Sequence, residues 1–113
     1  MQRQVKLVLV DDRIKSFLVA VANASRHHAH LSLGISPRGT LAWMGAAQAM
    51  AYYKGRSYVI PDDVKAVAGA VLGHRMMLKT EAKISGMSGE DIVNDLLKRS
   101  DISLFNRASG GTA

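Results

Sequence analysis

The chain contains two prolines, Pro37 and Pro61, and each stands where a helix can begin but not continue. Proline fixes φ near the helical value and lacks the N–H that an interior position must donate, so the first turn is its natural place. Ser36 precedes Pro37 with a hydroxyl able to accept a first-turn amide. From Pro37 to about Lys54 the run is rich in small residues (Gly39, Ala42, Gly45, Ala46, Ala47, Ala49, Ala51), and Gly55 offers a C-terminal stop. Trp43, Leu41, Met44 and Met50 supply bulk on different sides of that run. The pattern predicts a central helix approached closely from several directions.

Three further helices are predicted around it. Asp11 can cap a helix whose stripe Ile14, Phe17, Leu18 and Val21 recurs at i, i+3, i+4 and i+7 and ends at the polar Ser25-Arg26-His27-His28. Pro61 opens another, with Asp62 and Asp63 at the positive end of its dipole and Val64, Val67, Ala68, Val71 and Leu72 on one face. His74 and Arg75 then fall at its negative end. Ile60, at the cap position, has no side-chain acceptor, so this helix either frays at its start or is capped otherwise. Ser88 to Asp91 fits a capping box with aspartate for the usual glutamate, before Ile92, Val93, Leu96 and Leu97. Residues 1–10 alternate loosely, as a short strand or an extended lead-in would, and Leu31-Ser32-Leu33-Gly34 reads as an extended link. The expected fold is all-α, a small bundle of about four main helices with one short extended pairing between Leu31–Leu33 and Tyr58–Ile60. Met44, Met50, Met76, Met77 and Met87 are expected to fill its core.

At 113 residues and 48% hydrophobic the chain suffices for one core and not two, so a single domain is expected over 1–108, with 109–113 a small, polar, disordered tail. No repeat interrupts it. There is no cysteine, hence no disulfide framework and no thiolate metal site. That suits the cytoplasm, although exported proteins can lack cysteine too. Apolar stretches such as Leu7–Val10 fall far short of the roughly 20 residues of a membrane helix, and the first residues lack a signal-peptide pattern, so a soluble protein is expected. The net charge of +6 is uneven: residues 1–80 carry eleven Lys/Arg against four acids, and residues 81–113 carry four against five. Such a field suits acidic partners (nucleotide, nucleic acid or an acidic protein face), but a solvated basic surface explains it equally well.

Most catalytic chemistry finds no support. The chain has no glycine-rich phosphate loop ending in Lys-Ser or Lys-Thr and no strand closing on paired acids for magnesium, so alone it should not hydrolyse a nucleotide. His27, His28 and His30 lack a carboxylate or cysteine at a matching offset, which favours a polar cluster over a metal site. Ser36 has no histidine base beside it and is explained as a cap rather than a nucleophile. Arg38 is different. An arginine just inside a helix start opposes the dipole unless an acidic side chain or a bound anion answers it, and both explanations stand open. A forked donor beside free backbone amides matches phosphate in charge and geometry.

A set of short motifs extends the argument: Asp11-Asp12-x-Ile14, Arg26 and His28, Leu33-Gly34-x-Ser36-Pro37-Arg38, Ala46-Ala47-x-Ala49, Gly55-Arg56-x-Tyr58-Val59-x-Pro61-x-Asp63-Val64 and Leu72-x-His74-Arg75. In this order and spacing the chain resembles the C-terminal lid domain of MoxR-type AAA+ ATPases over nearly its whole length. The resemblance implies that Arg38 is the sensor 2 arginine reaching nucleotide phosphate, with Ser36 capping its helix. It also implies ATP and Mg²⁺ in a full-length protein, a preceding AAA+ domain holding the phosphate loop, magnesium-binding acids and arginine finger, and a homo-oligomeric ring. The lid would couple ATP binding and hydrolysis to domain and subunit movement, in chaperone-like assembly or metal-insertion remodelling. Three positions depart from the family pattern: Ser25 replaces threonine, Ala29 replaces proline, and Ile60 replaces the threonine or serine cap. The competing reading is a freestanding basic helical module that binds nucleic acid. A nucleic-acid reader would array Lys/Arg with Asn/Gln along one helix face, whereas the Pro37 helix is mostly alanine, glycine and methionine, which makes nucleic acid a poor partner.

Overall fold

A computed structural model describes residues 8–100; the expectations for residues 1–7 and for the 109–113 tail lie outside the described residues. The elements are α1 (Asp12–Arg26), β1 (Leu31–Leu33), α2 (Pro37–Tyr53), α3 (Pro61–Leu72), β2 (Met77–Leu78), α4 (Thr80–Ile84) and α5 (Gly89–Ser100). The four longer helices are those the apolar spacing predicts. The fold is a small helical bundle with one two-stranded sheet.

α1 starts because Asp11 accepts the Arg13 amide at 2.9 Å, and this backbone bond is the main reason the Asp11 carboxyl sits below its ordinary pKa. Its stripe Ile14, Phe17, Leu18 and Val21 is buried. α2 and α3 pack most extensively against each other. Trp43 lies wholly inside that packing, its indole N–H donating to the Val64 carbonyl at 2.9 Å and its ring 6.3 Å from that of Phe17. α2 ends at Gly55, which takes the left-handed conformation with φ +82°.

The open question at Ile60 has a definite answer. Asp63, buried in the first turn of α3, accepts the Ile60 amide on Oδ2 at 2.9 Å, and its Oδ1 takes the Arg56 guanidinium. The cap is thus made from the third helical position backwards. A buried carboxylate is tolerable there because a cation and a backbone donor both answer it.

The extended pairing differs from the expectation. Leu31–Leu33 pairs antiparallel with Met77–Leu78, with Leu31 opposite Leu78 and Leu33 opposite Met77, and not with Tyr58–Ile60. The Tyr58 segment is occupied by the incoming chain instead: the Leu9 amide donates to Ser57 O and the Val59 amide to Leu9 O, both at 2.9 Å. Gln48 ties the same incoming strand down by donating to Val8 O at 2.9 Å. Three alternating residues carry too little pattern to choose between two partners, so tertiary packing decides. The pairing also exposes Met77, which is 58% accessible rather than part of the core, while Met76 is buried and Met44, Met50 and Met87 are partly so. The short helix α4, which buries only Ala82, has no sequence counterpart in the expected set.

α5 carries the expected capping box, Ser88 accepting the Asp91 amide at 3.2 Å and Asp91 accepting the Ser88 amide at 3.0 Å. It packs against α1 and α3. Gly89 makes this possible, because a Cβ there would run into the Gly73 carbonyl at the end of α3. Among the described residues no helix is long and apolar enough to cross a membrane.

Two glycines should respond oppositely to alanine. At Gly34 a Cβ would lie 2.7 Å from Ser25 Oγ and 2.8 Å from the Arg26 amide, so Gly34→Ala should cost about 1–3 kcal/mol of unfolding free energy by overpacking a backbone contact. At Gly45, in mid-α2, nothing lies within 4 Å, so Gly45→Ala should gain about 0.5–1 kcal/mol from reduced chain entropy. Urea denaturation of both variants distinguishes the two.

Candidate anion-binding site

The site begins with the backbone of Ile35, which α1 holds from both sides. The buried Ser25 hydroxyl donates to Ala22 O at 2.6 Å and accepts the Ile35 amide at 2.8 Å. Arg26 donates to Ile35 O at 3.2 Å, with its other terminal nitrogen bound to Asn23 Oδ1 at 2.8 Å. The Ile35 side chain is fully buried. The residues immediately after it therefore leave a fixed point in a fixed direction. Ser25 supplies the one hydroxyl that makes both bonds.

Ser36 then does what its position predicts. Its Oγ accepts the Gly39 amide at 3.1 Å, and its carbonyl accepts the Thr40 amide at 3.0 Å. Pro37 occupies the first turn, and no acidic residue does. Arg38 is exposed, and among the described residues no side chain pairs with it. The acidic-partner explanation for Arg38 accordingly finds no carboxylate in its own turn.

Sequence spacing alone missed a second cation. Arg75 follows α3, anchored by its amide on Leu72 O at 2.9 Å, and its side chain crosses the first turn of α2: a Cβ on Gly39 would meet Arg75 Cδ at 3.5 Å and Ser36 Oγ at 3.5 Å. Ala42, Ala70, Val71, His74 and Arg75 line an open groove of about 610 Å³ between α2 and α3. Ala42 lies one turn along α2 from Arg38 on the same side of the helix. The sequence places Arg75 at the negative end of its own helix and in the Leu72-x-His74-Arg75 motif, and neither points to its approach to α2.

The histidines fall elsewhere. His28 is buried; its Nδ1 accepts the His30 amide at 3.1 Å, which assigns the ring proton to Nε2, 2.9 Å from Asp95 Oδ2. Both nitrogens are engaged, and the bond joins the α1–β1 turn to α5. His27 and His30 are exposed. Among the described residues no three His, Cys, Asp or Glu side chains converge as metal ligands. At Asp95 burial pushes the carboxyl pKa up, but the His28 hydrogen bond and the Arg99 guanidinium at 3.0 Å outweigh it and hold the pKa below its ordinary value.

Residues 23–96 match the family described as AAA lid domain. The chain is 46% identical over 97 residues to the protein YeaC of Bacillus subtilis, covering 86% of this chain and 30% of that one. It is 40% identical over 68 residues to Chaperone MoxR1 of Mycobacterium tuberculosis, covering 60% of this chain and 18% of that one. A crystal structure of a "putative ATPase" from Cytophaga hutchinsonii superposes with a TM-score of 0.81 at 27% identity, over 86% of this chain and 32% of the other. The chain thus spans less than a third of the length of the curated relatives it matches.

The α5 attachment should show a defined acid response. Because the folded Asp95 carboxyl has a lowered pKa, its stabilising contribution is complete above the unfolded value of about 3.9 and is lost as pH falls through the lower folded value. Asp95→Asn should therefore be less stable than the parent at neutral pH, and the gap should narrow below about pH 4. Thermal melts of both proteins across roughly pH 3–7, a window that brackets the carboxylate range, measure that gap.

Proposed function

Because the chain belongs to the AAA lid domain family, in its MoxR-type AAA+ branch, we propose that it is the phosphate-sensing lid of an ATP-hydrolysing ring, with Arg38 as the sensor 2 residue. The observation that carries this reading is an exposed arginine, unpaired among the described residues, at a capped helix start whose position α1 fixes through Ile35. An anion relieves the conflict between that charge and the helix dipole. Nucleotide phosphate supplies the anion, and bound ATP supplies the reaction's phosphoryl chemistry.

This chain's own part is to bind and to transmit. Arg38 donates to phosphate oxygens, and its own backbone amide, left free where Pro37 has no N–H and the Gly39 amide is capped by Ser36, adds to the same field. Since α1, α2 and α3 are linked by the buried Ser25 and Trp43 bonds, a change at the phosphate moves them as one body. The magnesium ligands, phosphate loop and arginine finger belong to the preceding AAA+ domain, and the working assembly is a homo-oligomeric ring in the cytoplasm. Protein remodelling of a chaperone-like kind fits the description of the M. tuberculosis relative as a chaperone. The nucleic-acid alternative gains nothing from Arg13, Arg26, Arg56 and Arg99, each of which already has a partner within the fold.

Arg38→Ala tests the proposal. Melting of the isolated domain should shift by no more than about 0.5 kcal/mol, as expected of an exposed site. The full-length protein should still assemble yet hydrolyse ATP on the order of a hundredfold more slowly. Normal turnover, or loss of domain stability, would make Arg38 structural and end the sensor assignment.

A further inference from the structure

Six arginines lie among the described residues, and their pairing is not random. Arg13 meets Asp11, Arg26 meets Asn23 and Ile35 O, Arg56 meets Asp63, and Arg99 meets Asp95. Arg38 and Arg75 alone have no such partner among those residues; Arg75 lines the α2–α3 groove and passes the first turn of α2, the turn that carries Arg38. Arg75 passes over Gly39 beside Ser36, its Cδ in van der Waals reach of a Cβ position there. Two unpaired cations near the positive end of one helix, with no carboxylate in that helix's first turn, offer an anion bound there two charged donors.

We propose that Arg75 is a second phosphate-binding residue, sharing the terminal phosphates of a nucleoside triphosphate with Arg38 so that the site prefers the triphosphate to the diphosphate. The proposal rests on the sensor reading of Arg38 and adds to it a second cation supplied by the end of α3. Two forked donors flanking one helical turn can divide the oxygens of adjacent phosphate groups. Loss of the terminal phosphate would leave one arginine unanswered. Discrimination between ATP and ADP would then be a property of the place where the end of α3 meets the start of α2.

The test is equilibrium binding of ATPγS and of ADP to the full-length ATPase, with circular dichroism and ring assembly checked on each variant. Arg75→Ala should weaken ATPγS binding about tenfold while leaving ADP binding unchanged, and Arg75→Lys should recover part of the loss by keeping the charge. Arg75→Gln, which keeps much of the stem over Gly39, gives the same readout should the alanine variant disturb the fold. Wild-type affinity for both nucleotides in the Ala and Gln variants, with ATPγS binding lost in Arg38→Ala, overturns the role of Arg75 and leaves Arg38 standing. Equal loss for ATPγS and ADP overturns the triphosphate preference. If Arg38→Ala also binds ATPγS normally, the sensor reading fails together with the proposal.

Discussion

The buried hydroxyl of Ser25 is the point on which this structure turns. A single oxygen donates within α1, to Ala22 O, and accepts across to the amide of Ile35. Shielded from water, both bonds gain strength from the low local dielectric, and losing either would leave a buried polar group unpaired. The arrangement requires Gly34, because any side chain there would strike Ser25 and the Arg26 amide. It also sends Ile35 into the core and delivers Ser36 to the start of α2. From there Trp43 carries the constraint onward to Val64 in α3, so three helices inherit their relative placement from one short junction.

A second junction solves a problem that Ile60 creates. With no cap of its own, α3 borrows Asp63, whose two oxygens serve different masters: one holds the Ile60 amide, the other the Arg56 guanidinium. The price is a fully buried carboxylate and an Arg56 Nε that finds no acceptor among the described residues. Removing either charged partner would strand the other, which makes this pair a condition of the α2–α3 connection more than a source of stability. The connection in turn positions α3 so that its far end meets the first turn of α2.

Local chemistry was readable from the residues and long-range pairing was not. The Asp11 cap, the Ser36 cap, the Ser88–Asp91 box and the apolar stripes of the four longer helices depend on neighbours within about one turn, and each follows from spacing. The partner of Leu31–Leu33 lies more than forty positions on, and a three-residue alternation cannot specify it. The same limit hid the His28–Asp95 bond and the approach of Arg75 to Gly39, each of which is set by helix packing. α4 was missed because five residues give no periodicity to read. Arg38 was legible as an anomaly, a cation at the wrong end of a dipole, and its surroundings supply no local carboxylate to explain the anomaly away.

The composition of α2 has one more consequence. Over Pro37–Tyr53 Arg38 is the sole charged residue, and the outward side of the helix continues through Leu41, Gly45 and Ala49. No carboxylate on that helix cancels the arginine's potential, and its apolar wall polarises less than water would. The field of Arg38 therefore enters the solvent uncancelled by any charge on its own helix. Mobile ions, whose screening length is about 8 Å at physiological ionic strength, set how far from the surface that field is felt, so an anion must come within about that distance of the start of α2 before the arginine draws it in.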